Sequence, residues 1–203
     1  MPERSDVTPN RRGARSREIV LDAAERLMAE RGYEAATIAA IVEASGIPIS
    51  SVYHYYGSKN GVLLAVMERG ADRVFAAVPD FTEPTGSAVD HLAALLSEIR
   101  DALGANPAFL RLLVTLAVQP PVDDHHDIHA VINRVRAEGR RRLGEQIALA
   151  FGRDAASAEV TQAARLALAA IDGAYVAQAA NPAHTMDETL ERLPQALAAA
   201  LGA

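Results

Sequence analysis

Fourteen residues, Gly46 to Lys59 (GIPISSVYHYYGSK), constrain the fold of this chain more than any others. Ahead of them Thr37 carries a hydroxyl suited to capping a short helix whose apolar Ile38, Ile41 and Val42 share a face, and Ser45-Gly46 breaks that helix. Pro48 has the fixed backbone dihedral of a first helical position, so a second short helix is expected from there to about Tyr56, stopping at Gly57-Ser58. Within it Val52 and Tyr55 fall on an inward side, while Ile49, Ser50, Ser51, Tyr53 and His54 spread over the outward side. The hydroxyls of Ser50, Ser51 and Tyr53, followed by the cation of Lys59, match the acceptor oxygens of a nucleic-acid backbone and the mixed edges of the major groove. Two short helices about a glycine turn, the second so decorated, have the geometry of a helix-turn-helix.

From Ser16 onward the flanking sequence is largely helical in period, whereas the segment before it has no such period. A first helix is expected from Ser16, a candidate cap, to Gly32, with Ile19, Val20, Ala23, Ala24, Leu27 and Met28 at three-and-four spacing. Tyr33 belongs to the core beside it. A long linker helix is expected from Ser58 to Pro79, then helices from the Ser87–Asp90 capping box to Gly104, from Pro107 to Val118, from Ile128 to Phe151, and from Ser157 to Ala180. The body of the Pro107 helix is apolar almost all round, which places it centrally in a rear domain. A terminal helix opens at the Thr185–Glu188 capping box, and Pro194 is positioned to kink it. The expected fold class is therefore all-α, about nine helices, with a three-helix head at the front.

Charge divides along the chain in a way that matters for function. Residues 1–60 contain eight basic and eight acidic side chains, so the whole net charge of −6 lies behind them. Arg11, Arg12, Arg15 and Arg17 form a local basic run, and residues 1–15 read as a flexible arm able to follow a groove or phosphates; a solvated terminus is the plainer alternative. There is no cysteine, which excludes disulfides and thiolate metal sites and agrees with a reducing, cytoplasmic setting. Charges interrupt every apolar run too early for a membrane span, and the start lacks a signal-peptide core.

In the residues Gly32-Tyr33, Thr37, Ala44-Ser45-Gly46-Ile47, Tyr53-His54-Tyr55-Tyr56 and Ser58-Lys59, following an amphipathic helix from Arg17 to Arg31, the chain resembles the tetracycline-repressor (TetR) family of bacterial transcription regulators. It departs from that pattern at Ile49, where lysine is frequent, at Ser50, where glycine is common, and at Tyr56, where phenylalanine is usual; these positions bear on which sequence is bound. The resemblance implies a DNA-binding head at residues 16–60 and a helical effector-binding and dimerisation domain at 61–203. It implies phosphate contacts from Thr37, Tyr53, Tyr55 and Lys59, with Ser50, Ser51, Ile49 and His54 facing bases; Ile49 is placed to touch a thymine methyl. It also implies a dimeric repressor on a palindromic double-stranded operator, released by a small effector that shifts the linker helix. Met67, Val74, Phe75, Leu96, Leu113, Ile132 and Val135 are candidate effector-lining residues, with His91, Arg111 and Thr115 as polar anchors, and their apolar character points to a hydrophobic effector; each has plain core as its alternative. For dimerisation, the alanine-rich helix before Ala180 demands more partner surface than one small domain provides, with a central intramolecular helix as the alternative. Ala164, Leu168, Ile171, Tyr175, Leu190, Leu193 and Leu197 on the last two helices are the candidates.

Other chemistries find less support. His125, His126 and His129 sit at helical spacing beside Asp123, Asp124 and Asp127, so a metal-responsive regulator is an alternative, as is an architectural DNA-binding protein with no effector; a solvated helix entry accounts for the same residues. Arg134, Arg136, Arg140, Arg141 and Arg142 read as a solvated helix face, with anion binding as the alternative. No phosphate-cradling glycine loop, nucleophile elbow or framed carboxylate pair is present, so neither catalysis nor a cofactor is expected.

Overall fold

The computed structural model describes residues 8–84, 86–118 and 126–202, and all the regular structure in them is helical. The helices are α1 (Thr8–Arg31), α2 (Ile38–Ser45), α3 (Ile49–Tyr56), α4 (Lys59–Ala77) and α5 (Ala88–Gly104), followed by α6 (Pro107–Ala117), α7 (His126–Phe151), α8 (Ala158–Ala180), α9 (Met186–Leu190) and α10 (Leu193–Ala200). No helix among the described residues is long and apolar enough to cross a membrane.

Most boundaries are set by the caps the sequence carries. The hydroxyls of Thr37, Ser87, Ser157 and Thr185 each accept a hydrogen bond from a backbone N–H in the first turn of the following helix, and Asp90 and Glu188 complete reciprocal capping boxes. Ser58 does the same for α4, accepting from the Gly61 N–H at 3.0 Å. The expected terminal helix is in two pieces. Pro194 has no N–H to donate and is tolerated only near a helix start, so the chain turns at Glu191-Arg192 and restarts with Pro194 in the first turn of α10.

The front of the chain corrects the expectation of a flexible arm over residues 1–15. Residues 1–7 lie outside the described residues, but from Thr8 onward the chain is already α1. Ser16 does not cap this helix; its hydroxyl donates back to the Arg12 carbonyl at 3.0 Å, a bond only an already helical segment offers. Nothing between Pro9 and Gly32 breaks the helix, and Pro9 sits in its first turn, where a missing N–H costs nothing.

Two compact units result. The first comprises residues 1–71 and 107–132, and the second residues 72–106 and 133–203. In the first, Val20, Ala24, Leu27 and Met28 of α1 pack with Ile41, Val52, Val62, Leu63, Val66 and Met67, all nearly or fully buried. Phe109 of α6 closes this core, and α6 packs on α1. The sequence reading placed α6 centrally in a rear domain; it belongs instead to the unit that holds the helix-turn-helix. Gly70 of α4 is where Phe109 lies closest, because a Cβ there would stand 2.3 Å from the ring. In the second unit Leu92, Leu95, Leu143, Ile147, Val160, Ala167 and Ile171 form the core, and α10 packs on both α5 and α8.

Candidate nucleic-acid interface

The turn between α2 and α3 depends on Gly46, whose φ of 67° is left-handed and whose N–H returns to the Val42 carbonyl. The Ser45 hydroxyl secures it from the side, accepting from the Ile47 N–H at 3.2 Å. α3 follows with Val52 buried at 1% exposure as its anchor. At its far end Gly57 has φ 72°, and the Ser58 N–H closes onto the Tyr56 carbonyl at 2.8 Å, so α4 starts immediately. The tightness of this second turn is measured at Gly61: a Cβ there would lie 1.9 Å from the Tyr56 carbonyl oxygen.

Three groups hold the rear of the motif. The Tyr56 hydroxyl donates to the Arg17 carbonyl of α1 at 3.0 Å, and the Arg17 guanidinium lies 5.1 Å from the Tyr55 ring centroid. Tyr33, buried as expected, donates its hydroxyl to Asn60 of α4. Lys59 is engaged within the motif. Its ammonium sits 4.1 Å from the Tyr33 ring centroid, donates to the Glu34 carbonyl at 3.0 Å and is 3.9 Å from the Glu34 carboxylate. The residue expected to touch phosphate is thus also a brace between α4 and the loop before α2.

Burial pushes the Tyr33 phenol up to about 12, with the Glu34 charge adding to the effect, and burial followed by the Glu18 charge does the same for Tyr56. A phenol whose pKa is raised on folding stabilises the fold fully below pH 10 and loses that contribution as the pH rises towards 12. A spectrophotometric titration should therefore show late-ionising phenols, one fewer in each of Tyr33→Phe and Tyr56→Phe, with the fold melting more easily above pH 10.

With its rear fixed, α3 turns a strip of Ile49, Ser50, Tyr53 and His54 outward, all four exposed. Ile49 at 50% and Tyr53 at 49% are unusually open for apolar and aromatic side chains. Ser51 is half-buried at the edge of the strip and Tyr55 half-buried behind it. Thr37 is exposed, its hydroxyl engaged at the α2 cap. Arg12 and Arg15 are exposed on the early turns of α1; the side chain of Arg11 lies outside the described residues.

One cluster escaped the sequence reading. Arg69 of α4 reaches α1 and bonds Glu18 at 2.9 Å, Asp22 at 2.8 Å and Glu25 at 2.7 Å. The signal was present: three acids at i, i+4 and i+7 on α1 form one stripe that calls for a cation. Gly61 and Asn60 were missed as well, because helical periodicity carries no information on how tightly two helices are joined.

The candidate effector residues fall in both units. In the first, Met67, Leu113 and Ile132 are buried, while Arg111 and Thr115 are exposed. In the second, Val74, Leu96 and Val135 are buried, and Phe75 lies 4.9 Å from the Arg142 guanidinium. His91 is fully buried, 3.2 Å from the Gln146 amide oxygen and edge-on to Phe81 at 5.2 Å. Leu96 also lines a cleft of about 290 Å³ in the second unit with Ser97, Arg100, Leu190 and Pro194. Of the histidine cluster, His125 and the side chain of His126 lie outside the described residues; His129 is half-buried on α7. Among the arginines, Arg136 pairs with Asp172, while Arg141 and Arg142 pair with Glu138, which holds Glu138 down to about 2.

Five of the seven dimerisation candidates are buried within the single chain. Ala164, Ile171, Leu190, Leu193 and Leu197 are at most 7% exposed within the single chain, and Leu168 and Tyr175 are half-buried. The five buried ones belong to the core of the second unit. The exposed stripe on α8 consists of Leu166, Ala169, Gly173 and Val176, with Leu166 at 45% and Val176 at 50% exposure.

Comparison with known proteins bears on residues 20–66, which match the model of bacterial regulatory proteins of the tetR family. The chain is 35% identical over 65 residues to the HTH-type transcriptional repressor AcnR of Corynebacterium glutamicum, covering 32% of this chain and 35% of that protein, so the match spans about a third of the relative's length. It is 27% identical to the HTH-type transcriptional regulator BetI of Klebsiella pneumoniae, over 84% of this chain and 85% of that protein. In structure it is similar to a putative TetR-family regulator from Syntrophomonas wolfei, with a TM-score of 0.74 at 16% identity, covering 93% of this chain and 96% of that one. At that identity the likeness shows the fold.

Proposed function

We propose, for a chain that belongs to the tetR family of bacterial regulatory proteins, that it is a dimeric transcription regulator binding a palindromic DNA operator and released by a small, largely hydrophobic effector. The observation that carries the reading is the exposed strip Ile49, Ser50, Tyr53 and His54 on a short helix whose opposite side is fixed by Val52 and Tyr56. A helix held this way presents its outer side chains at a constant angle, as major-groove readout requires. Thr37, Tyr53, Tyr55 and Lys59 are the proposed phosphate contacts, with Arg12 and Arg15 adding sequence-independent attraction from α1. Because the acidic excess lies behind residue 60, attraction to phosphate falls to these few cations, and affinity should drop steeply with salt.

Selection of duplexes from a random pool by the purified protein tests this. Recovery of an inverted repeat supports the reading, and recovery of random sequence alone contradicts it.

Two copies are proposed to meet through the exposed stripe of α8, whose three-four-three spacing is that of a helix-pairing seam, joined by α10 with its exposed Ala196 and Ala199. Small residues at Ala169 and Gly173 let two such helices approach closely. Leu166→Arg combined with Val176→Arg should give a folded chain that sediments as a monomer and binds the operator at least about a hundredfold more weakly, since the linked second half-site is lost. A variant that remains dimeric overturns this seam.

The effector must favour the arrangement that does not fit DNA, because equal affinity for both arrangements shifts nothing. A ligand that raises the melting temperature yet leaves operator affinity unchanged is not that effector.

A further inference from the structure

The outward strip of α3 is unusual in what it lacks. From Ile49 to Ser58 the chain has no arginine, lysine, asparagine or glutamine. Those four side chains make the strong bidentate contacts, Arg or Lys with guanine and Asn or Gln with adenine, on which most direct readout rests. What the strip offers instead is an isoleucine at the first helical position, a serine, a phenol and an imidazole. Ile49 and Tyr53 are one turn apart and about half exposed, so together they make a continuous apolar ridge on the face that the proposed function directs at DNA. The major-groove edge of a base pair has one apolar feature, the 5-methyl group of thymine.

We propose that this helix reads its operator chiefly through thymine methyl groups, with Ile49 as the contacting side chain and the Tyr53 ring flanking the same methyl while its hydroxyl reaches the neighbouring phosphate. The inference rests on the DNA-binding function above and specifies the chemistry it recognises. Residues at the start of a recognition helix approach base edges most closely, and Ile49 occupies that place. A branched aliphatic group there leaves a polar base edge unpaired if it faces guanine or cytosine, and gains by excluding water if it faces a methyl. The hydroxyl of Ser50 and the ring of His54, on the adjacent exposed positions, can then add single hydrogen bonds beside the methyl contact.

Replacing thymine by deoxyuridine removes the methyl and nothing else, so it isolates the contact. The selected duplex is remade with deoxyuridine at one thymine of each half-site in turn, and dissociation constants are measured at fixed salt for the wild type, Ile49→Val and Ile49→Ala. At one thymine the wild type should lose about fourfold per half-site, hence about fifteenfold for the symmetric pair. Ile49→Val should keep most of that discrimination. Ile49→Ala should bind more weakly and bind the thymine and deoxyuridine duplexes equally. Because Ile49 is exposed, its variants should melt with the wild type, which separates lost contact from lost fold. A wild type that selects a sequence but ignores deoxyuridine at every position overturns the methyl reading alone, as does discrimination that survives in Ile49→Ala. Failure to select any sequence would instead remove the DNA-binding function beneath it.

Discussion

Gly61→Ala should cost the protein about 3 kcal/mol, lower its melting temperature by roughly 9 °C and abolish selective DNA binding at once. The added methyl would meet a carbonyl oxygen 1.9 Å away, at Tyr56, and neither atom lies on a side chain that can swing clear. Relief requires the Tyr56–Ser58 turn to open, which breaks its 2.8 Å hydrogen bond and rotates α3 away from α4. Gly104, an exposed helical glycine with open space about its Cα, is the control: Gly104→Ala should be neutral or slightly stabilising. If Gly61→Ala melts with the wild type and binds as tightly, the close joint between α3 and α4 is not what aims the helix.

Arg69→Met should destabilise by about 2 to 3 kcal/mol, seen as a melting temperature roughly 6 °C lower. Removing one member of a buried ion pair costs about 3–5 kcal/mol, but two of the three acids here are well hydrated, Glu18 at 62% and Asp22 at 69% exposure, and water screens them. The loss falls mainly on Glu25, at 10% exposure, which would lose its 2.7 Å bond to the guanidinium while shielded from water. Arg69 is itself imperfectly served, since its Nε is buried without a partner, and this lowers the cost of replacing it. The double variant Arg69→Met with Glu25→Leu should therefore regain most of the loss. An undiminished deficit in the double variant would mean that the arginine acts through its packing and not its charge.

The sequence was most legible where a single residue type answers a local demand. Hydroxyls at Thr37, Ser58, Ser87, Ser157 and Thr185 announce helix starts, and Gly46 announces the turn, because caps and left-handed corners are solved within a few residues. The α1 start was misread for the complementary reason: Ser16 resembles a cap, but nothing local distinguishes a cap from a serine bonding back within an existing helix. Periodicity located the apolar stripes of α8 and α10 yet not what covers them. A stripe reads the same whether a neighbouring helix or a second chain lies against it, and Ile171 and Leu197 are already covered within the single chain.

An all-round apolar surface shows that α6 is buried but not in which unit, and Phe109 packs beside Gly70 of α4. Side-chain roles in the candidate site were half visible. That Ile49, Ser50, Tyr53 and His54 face outward follows from a 100° step along the helix; that Lys59 is braced by Tyr33 and Glu34 depends on contacts made by residues 25 or more positions away.

The most direct test of the central claim is to measure stoichiometry and affinity together on the duplex selected from the random pool, at one fixed salt concentration. Two chains per inverted repeat, bound at least about a thousandfold more tightly than to random-sequence duplex, is the expected result. One chain per site, or equal affinity for both duplexes, would contradict it.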